Sequence, residues 1–132
     1  MSQTILLVDD EPDVVDTVMF RLKQEGYEIL TASDGLEALE AARLHQPDLL
    51  ILDVMLPGEN GYRVAHMLRE EQKAGTYAKP LPIILLTARD LSSDPEREKI
   101  FMDFSGADRV IYKPFELDDL AEQVAELLET GP

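Results

Sequence analysis

The sequence predicts a doubly wound α/β fold, in which a parallel sheet carries helices on both faces. Three observations predict it. Four short apolar runs, at residues 5–8, 49–52, 83–86 and 110–112, are rich in branched side chains and lack polar alternation. That is the pattern of strands buried on both faces of a parallel sheet. Segments of helical period lie between them, so strand and helix alternate five times along the chain, which implies right-handed crossovers. Each run also ends on a reactive polar residue: Asp9 and Asp10, Asp53, Thr87 and Lys113. In open α/β sheets the ligand sits beyond the carboxyl ends of the strands, so these groups converge on one edge.

Each element has its own local signal. After the first run, Glu11-Pro12 opens a helix, with proline at a first-turn position where its missing N–H costs nothing. Val14, Val15, Val18, Met19 and Leu22 form its apolar stripe, and Gly26 is placed to end it. Residues 27–32 read as a second strand. Ser33-Asp34-Gly35 starts the second helix, Leu36, Ala38, Leu39, Ala41 and Ala42 are its apolar residues, and Pro47 lies beyond its end. Beyond Asp53, the stretch from Pro57 to Gly61 is a turn-rich loop, followed by a helix over residues 62–72 and a polar linker over 73–82. Asp94-Pro95 reads as a cap and first-turn proline for a helix over 96–104. The last helix is the best patterned, with Leu117, Leu120, Ala121, Val124, Leu127 and Leu128 on one face. No internal repeat, low-complexity tract or second domain is visible, so residues 1–132 read as one domain.

The bulk numbers exclude several classes. A chain of 132 residues, 45% hydrophobic and 30% charged, suits one globular domain with one core. Twelve Lys and Arg against 27 Asp and Glu give a net charge of −15. This argues against binding nucleic acid or an anionic membrane, both of which need a positive patch, and suits a cation or a basic protein surface. Cysteine is absent, which removes disulfides, thiolate metal sites and cysteine nucleophiles. The N-terminus lacks a signal peptide, and no apolar run approaches the roughly 20 residues that span a bilayer. A soluble cytoplasmic protein is the expectation.

The convergent groups suggest phosphoryl chemistry. Two like charges ~4 Å apart repel by roughly 4 kcal/mol at an effective dielectric near 20, so Asp9, Asp10 and Asp53 together need a counter-cation or a proton. Oxygen-only ligands in this number suit Mg²⁺, which keeps several waters and adds a phosphate oxygen. A carboxylate can itself be the nucleophile, with Lys113 as a point charge on the phosphoryl oxygens and Thr87 as a hydroxyl donor to them. Each residue alone has an ordinary alternative: Asp10 as a helix cap, Asp53 as a turn former, Thr87 as a cap, Lys113 as solvated surface. The joint pattern is what carries the chemistry.

At these residues the chain resembles the receiver domains of two-component response regulators. The resemblance runs from Ile5 to about Leu128 and rests on Leu-Val-Asp9-Asp10-Glu-Pro, Leu-Asp53-Val-Met-Leu-Pro57-Gly58 with Gly61, Leu-Thr87-Ala-Arg and Tyr-Lys113-Pro114-Phe115. It implies a flavodoxin-like five-stranded sheet of order 2-1-3-4-5 and a module that takes a phosphoryl group from a sensor histidine kinase or phosphotransfer protein onto Asp53. It further implies Mg²⁺ held by Asp10 directly, Asp9 through water, Asp53, and the backbone carbonyl of Met55. Thr87 would turn toward the phosphoryl oxygen and draw the fourth helix with it. Lys113 would pair with the phosphate, and the Lys113-Pro114 bond would be cis. Implied partners are the kinase, meeting the surface around the first helix, and a downstream protein or an output domain not in this chain. A phosphorylation-dependent dimer is a further assembly in keeping with the family, and no turnover of an external substrate is expected.

Three features depart from the family pattern. The aromatic residue common three positions before the lysine is Val110 here, with Tyr112 as an imperfect substitute or simply a packed or snorkelling ring. The stretches 73–82 and 88–95 are long, as partner contacts or, more commonly, as tolerated insertions. Met55 and Arg89, two residues after Asp53 and Thr87, flank the phosphoryl group: Met55 cannot act as a base for attacking water and Arg89 reads as a cover for the phosphate, which predicts slow to moderate phosphate loss. Two other functions compete. A Mg²⁺-dependent phosphatase or phosphotransferase of the dehalogenase type needs a second Asp where Met55 stands, and a degenerate receiver would bind partners without phosphate.

Overall fold

The computed structural model describes residues 3–88 and 94–130. Along the chain lie β1 (Thr4–Val8), α1 (Pro12–Gln24), β2 (Glu28–Ala32), α2 (Gly35–His45), β3 (Leu49–Asp53), β4 (Met55–Leu56), β5 (Glu59–Asn60), α3 (Gly61–Lys73), β6 (Ile83–Ala88), α4 (Pro95–Ser105), β7 (Arg109–Lys113) and α5 (Leu117–Thr130). Five strands form one parallel sheet in the order β2-β1-β3-β6-β7. Counting only these long strands, this is the expected order 2-1-3-4-5.

The apolar runs are buried on both faces. Ile5, Leu7, Leu49, Ile51, Ile84 and Leu86 point to one side, where Val18 and Leu22 of α1 and Leu120 and Val124 of α5 cover them. Leu6, Val8, Leu50, Leu52, Ile83 and Leu85 point to the other, against Ala38 and Leu39 of α2 and Val64 and Leu68 of α3. All twelve of these strand residues are fully buried, each contributing about 1.5–3 kcal/mol of burial. Among them, the alternation of a strand's side chains between faces assigns one residue to each layer.

The helix starts follow their sequence signals. Pro12 opens α1, and Asp94 caps α4 by accepting from the Glu96 N–H at 3.0 Å. Asp34 caps α2 by accepting from the Glu37 N–H at 2.8 Å, while Glu37 accepts from Ser33 in return. Asp10 does not cap α1, whose N-cap is Glu11 without a side-chain bond. Gly26, at φ 95°, takes the left-handed turn out of α1.

Three details depart from the sequence expectation. The loop after Asp53 contains the antiparallel pair β4–β5, turned at Gly58 with φ 68°. Leu36 is 66% exposed, because the buried face of α2 is Gly35, Ala38, Leu39 and Ala42, a 3.6-residue stripe that Leu36 falls outside. The linker 73–82 is not merely polar: Tyr77 and Leu81 are buried in the α2–α3 layer. The Tyr77 hydroxyl donates to Glu71 at 2.6 Å.

Candidate functional site

Register alone brings the reactive residues together. β1 and β3 pair with Val8 opposite Leu52, so Asp9 and Asp53 leave adjacent strands side by side. β3 and β6 pair with Asp53 opposite Leu86, and β6 and β7 pair with Thr87 opposite Tyr112 and Ala88 opposite Lys113. Asp9, Asp53, Thr87 and Lys113 therefore lie together at the carboxyl ends of adjacent strands of the sheet.

Asp9 and Asp53 are buried and Asp10 is exposed, and the three offer carboxylate oxygens that all lie within 4.8 Å of one another. Lys113 reaches into this cluster from beside its cis bond to Pro114. Its Nζ donates to Asp9 Oδ2 at 3.2 Å and to Asp53 Oδ2 at 3.3 Å. The second Asp53 oxygen accepts from the Met55 N–H at 3.1 Å, and Asp9 Oδ1 accepts from the Glu11 N–H at 2.9 Å. Both oxygens of Asp53 are thus oriented by named donors.

Gly61 sets the depth of the acceptor. A Cβ there would stand 2.5 Å from the Asp53 carbonyl oxygen and 2.6 Å from the Val54 Cα, so only glycine lets α3 start against this backbone. The Gly61 N–H donates to the Val54 carbonyl at 2.8 Å.

Burial lifts the Asp53 carboxyl to about 6; the Met55 N–H opposes this, and the neighbouring Asp9 charge adds to it. Burial alone would lower the Lys113 ammonium, but Asp53 and Asp9 outweigh it and hold it above its ordinary value. One ammonium among these carboxylates leaves the pocket short of positive charge. Hard oxygen donors at this spacing, with Asp10 on the open side, fit a hard divalent cation.

The Thr87 hydroxyl donates to the Ala88 carbonyl at 3.5 Å, a marginal contact. Among the described residues it makes no bond to Asp9, Asp10 or Asp53. Tyr112, half-buried, donates to Glu98 of α4 at 3.1 Å. Val110 packs in the layer containing α2 and α3. The Met55 side chain is 72% exposed beside the pocket. Arg89, read as a cover for the phosphate, and the 90–93 part of the long 88–95 stretch lie outside the described residues.

Two residues were not singled out from sequence. Glu11 accepts from Lys113 Nζ at 3.2 Å, and its signal was only its place directly after Asp9-Asp10. Tyr62 of α3 stacks on Phe101 of α4, a contact that requires the tertiary fold to see. Beside the pocket, a groove of about 830 Å³ runs between α1 and the β7–α5 connection, with Val14, Val18 and Phe115 among its apolar residues and Glu11, Asp13 and Asp118 among its charged ones.

Comparison with known proteins gives one answer. Residues 5–125 match the response regulator receiver domain. The chain is 40% identical over 125 residues to the probable transcriptional regulatory protein TcrX of Mycobacterium tuberculosis, covering 95% of this chain and 49% of that protein. It is 38% identical over 128 residues to the alkaline phosphatase synthesis transcriptional regulatory protein PhoP of Bacillus subtilis, covering 97% and 49%. The chain thus spans about half the length of these curated relatives. Among solved structures, a putative response regulator from Chloroflexus aurantiacus is 36% identical with a TM-score of 0.82, covering 98% of this chain and 99% of that one. A receiver domain protein from Methanospirillum hungatei is 26% identical with a TM-score of 0.84, covering 98% and 96%.

Proposed function

The chain belongs to the response regulator receiver domain family, and from that membership and the pocket's geometry we propose that it accepts a phosphoryl group on Asp53 and changes a partner-facing surface in response. The observation that carries this reading is a buried carboxylate with both oxygens oriented, flanked by two further carboxylates and one ammonium. These 132 residues act as one receiver unit.

An Asp53 oxygen attacks the phosphorus of a phosphohistidine in line. The O–P bond forms, the P–N bond breaks, and the electron pair leaves with the imidazole. Met55 N–H and Lys113 hold the carboxylate at the correct angle, and Lys113 then follows the charge onto the phosphoryl oxygens. Asp9, Asp10, Asp53 and the Met55 carbonyl would hold Mg²⁺, which when bound supplies positive charge for the equatorial oxygens of the transferring group. Thr87 donates its hydroxyl to the transferred group. The exposed methionine where an acid/base carboxylate would be needed fits a receiver without turnover of an external substrate.

The donor protein docks on the α1 groove, whose acidic rim and apolar floor suit a basic, partly apolar helical face. The receiver's output goes to a downstream protein or an attached domain, in keeping with the transcriptional regulators it resembles.

The test is intact mass after incubation with Mg²⁺ and acetyl phosphate. A single phosphoryl adduct that needs Mg²⁺ and is absent in Asp53→Asn establishes the acceptor. If no adduct forms with any donor although Mg²⁺ binds, the chain is a receiver-like module that works without phosphate.

A further inference from the structure

The Lys113 ammonium has three N–H donors, and three carboxylates take them: Asp9 Oδ2 at 3.2 Å, Asp53 Oδ2 at 3.3 Å and Glu11 Oε1 at 3.2 Å. A phosphoryl group on Asp53 brings three strong acceptor oxygens of its own. The bond to Asp53 can pass to one of them, since the group is carried by that same carboxyl. Nζ follows the new oxygens only as far as its bonds to Asp9 and Glu11 allow.

These two restraints are not equal. The Asp9 side chain is 0% exposed, whereas that of Glu11 is 59% exposed. Taking the ammonium from a buried carboxylate leaves an uncompensated charge, which is costly. Glu11 loses little, because water replaces its partner. Its backbone is fixed, with the N–H donating to Asp9 Oδ1 at 2.9 Å, but its side chain has no anchor on its own helix. Glu11 is the N-cap of α1 and yet makes no side-chain bond to it. The carboxylate is turned to Lys113 instead. Both residues also line the groove between α1 and the β7–α5 connection, so this ion pair stands where the carboxylate pocket meets the groove.

We propose that Glu11 is a positioning residue for phosphoryl transfer, holding the Lys113 ammonium at the groove side of the pocket until a phosphoryl oxygen takes its place. The role rests on Asp53 being the phosphoryl acceptor. Of the bonds on Nζ, the one to Glu11 yields as the group arrives, and the ammonium moves inward with the charge. Phosphoryl engagement therefore works against the Glu11 pair, and the modified protein carries a released carboxylate at the edge of the groove.

Glu11→Asp separates contact from charge. It keeps the negative charge at the rim but is one methylene too short for the 3.2 Å bond, and aspartate is a good N-cap, so α1 keeps its start. Glu11→Gln removes the charge. The full chain is titrated with beryllofluoride, a stable phosphoryl mimic, at saturating Mg²⁺, as wild type, Glu11→Asp, Glu11→Gln, Lys113→Ala and the double variant Glu11→Gln with Lys113→Ala. Affinity is read by NMR. Both single Glu11 variants are expected to bind about 2- to 5-fold more tightly, the size of one partly exposed ion pair no longer to be broken. In metal-free protein the Lys113 ε-methylene resonances should be displaced in both. In the Lys113→Ala background the gain should vanish, and Glu11→Asp decides even if Lys113→Ala does not fold. Affinity unchanged or weakened in both Glu11 variants overturns the role. So does a gain in Glu11→Gln alone, which is an effect of rim charge, or a gain that survives in Lys113→Ala. Each of these leaves Asp53 standing. Failure of the wild type to bind beryllofluoride while it still binds Mg²⁺ overturns the Asp53 reading, and the Glu11 role falls with it.

Discussion

Asp53 is held in a position that costs the fold stability. Its folded-state pKa of about 6 lies above the ordinary 3.8, with burial as the main cause. The folded protein therefore binds this proton more tightly than the unfolded chain, and the stability it contributes falls as pH rises from about 4 to about 6. Above that window the ionised carboxylate is a net burden in metal-free protein. Asp53→Asn, neutral and nearly isosteric, should therefore be the more stable protein at pH 7.5 in the presence of a chelator. The difference in melting temperature should shrink toward zero as pH falls to about 4. Equal melting curves at both pH values would show that Lys113 already cancels the cost. Gly61 gives a second test at this scale. Its Cβ would stand 2.5 Å from the Asp53 carbonyl oxygen, a backbone atom that cannot swing aside. Gly61→Ala should destabilise by about 1–3 kcal/mol in urea titrations, and should slow phosphoryl uptake as well, because the strain falls on the acceptor's own peptide.

At the scale of elements, legibility followed burial. The strands β1, β3 and β6 announce themselves because both faces are covered, which confines polar residues to their ends. The caps at Asp34 and Asp94 were equally readable, since a cap is a local bond between residues two or three apart. The pair β4–β5 was not, because two-residue strands carry no period and their turn residues look like any loop. The pairing of Tyr62 with Phe101 was invisible for a different reason: it joins α3 to α4, and only the fold relates them. The segment after α3 was misjudged as polar because Tyr77 and Leu81 are too far apart to form a pattern, yet both enter the core. Tyr77 should therefore behave as a core residue. Tyr77→Ala is expected to cost about 3 kcal/mol, and Tyr77→Phe, which gives up only the bond to Glu71, about 1 kcal/mol. Chemical denaturation of the two variants separates the contributions. A Tyr77→Ala variant as stable as wild type would return this stretch to the status of a tolerated insertion.

For the whole molecule the dominant quantity is the net charge of −15. Self-repulsion of this size disfavours the compact state, so NaCl should raise the melting temperature gradually by screening. The three-aspartate pocket adds a local excess that monovalent salt screens poorly, since two of its members are buried. The two effects separate by ion and by residue. At ten times its dissociation constant, a cation bound only to the folded state stabilises by about 1.4 kcal/mol, which for a chain of this size is roughly 5 °C. Mg²⁺ should therefore raise the melting temperature by this amount beyond NaCl of equal ionic strength, and the increment should saturate, whereas the NaCl effect continues to climb. Asp10→Asn should abolish the Mg²⁺ increment and leave the NaCl response intact, because Asp10 is the exposed member of the cluster and its loss disturbs no packing. If Mg²⁺ and NaCl act alike at equal ionic strength, the pocket's carboxylates are balanced by Lys113 and Asp53's raised pKa alone, and a cation is not part of the resting site.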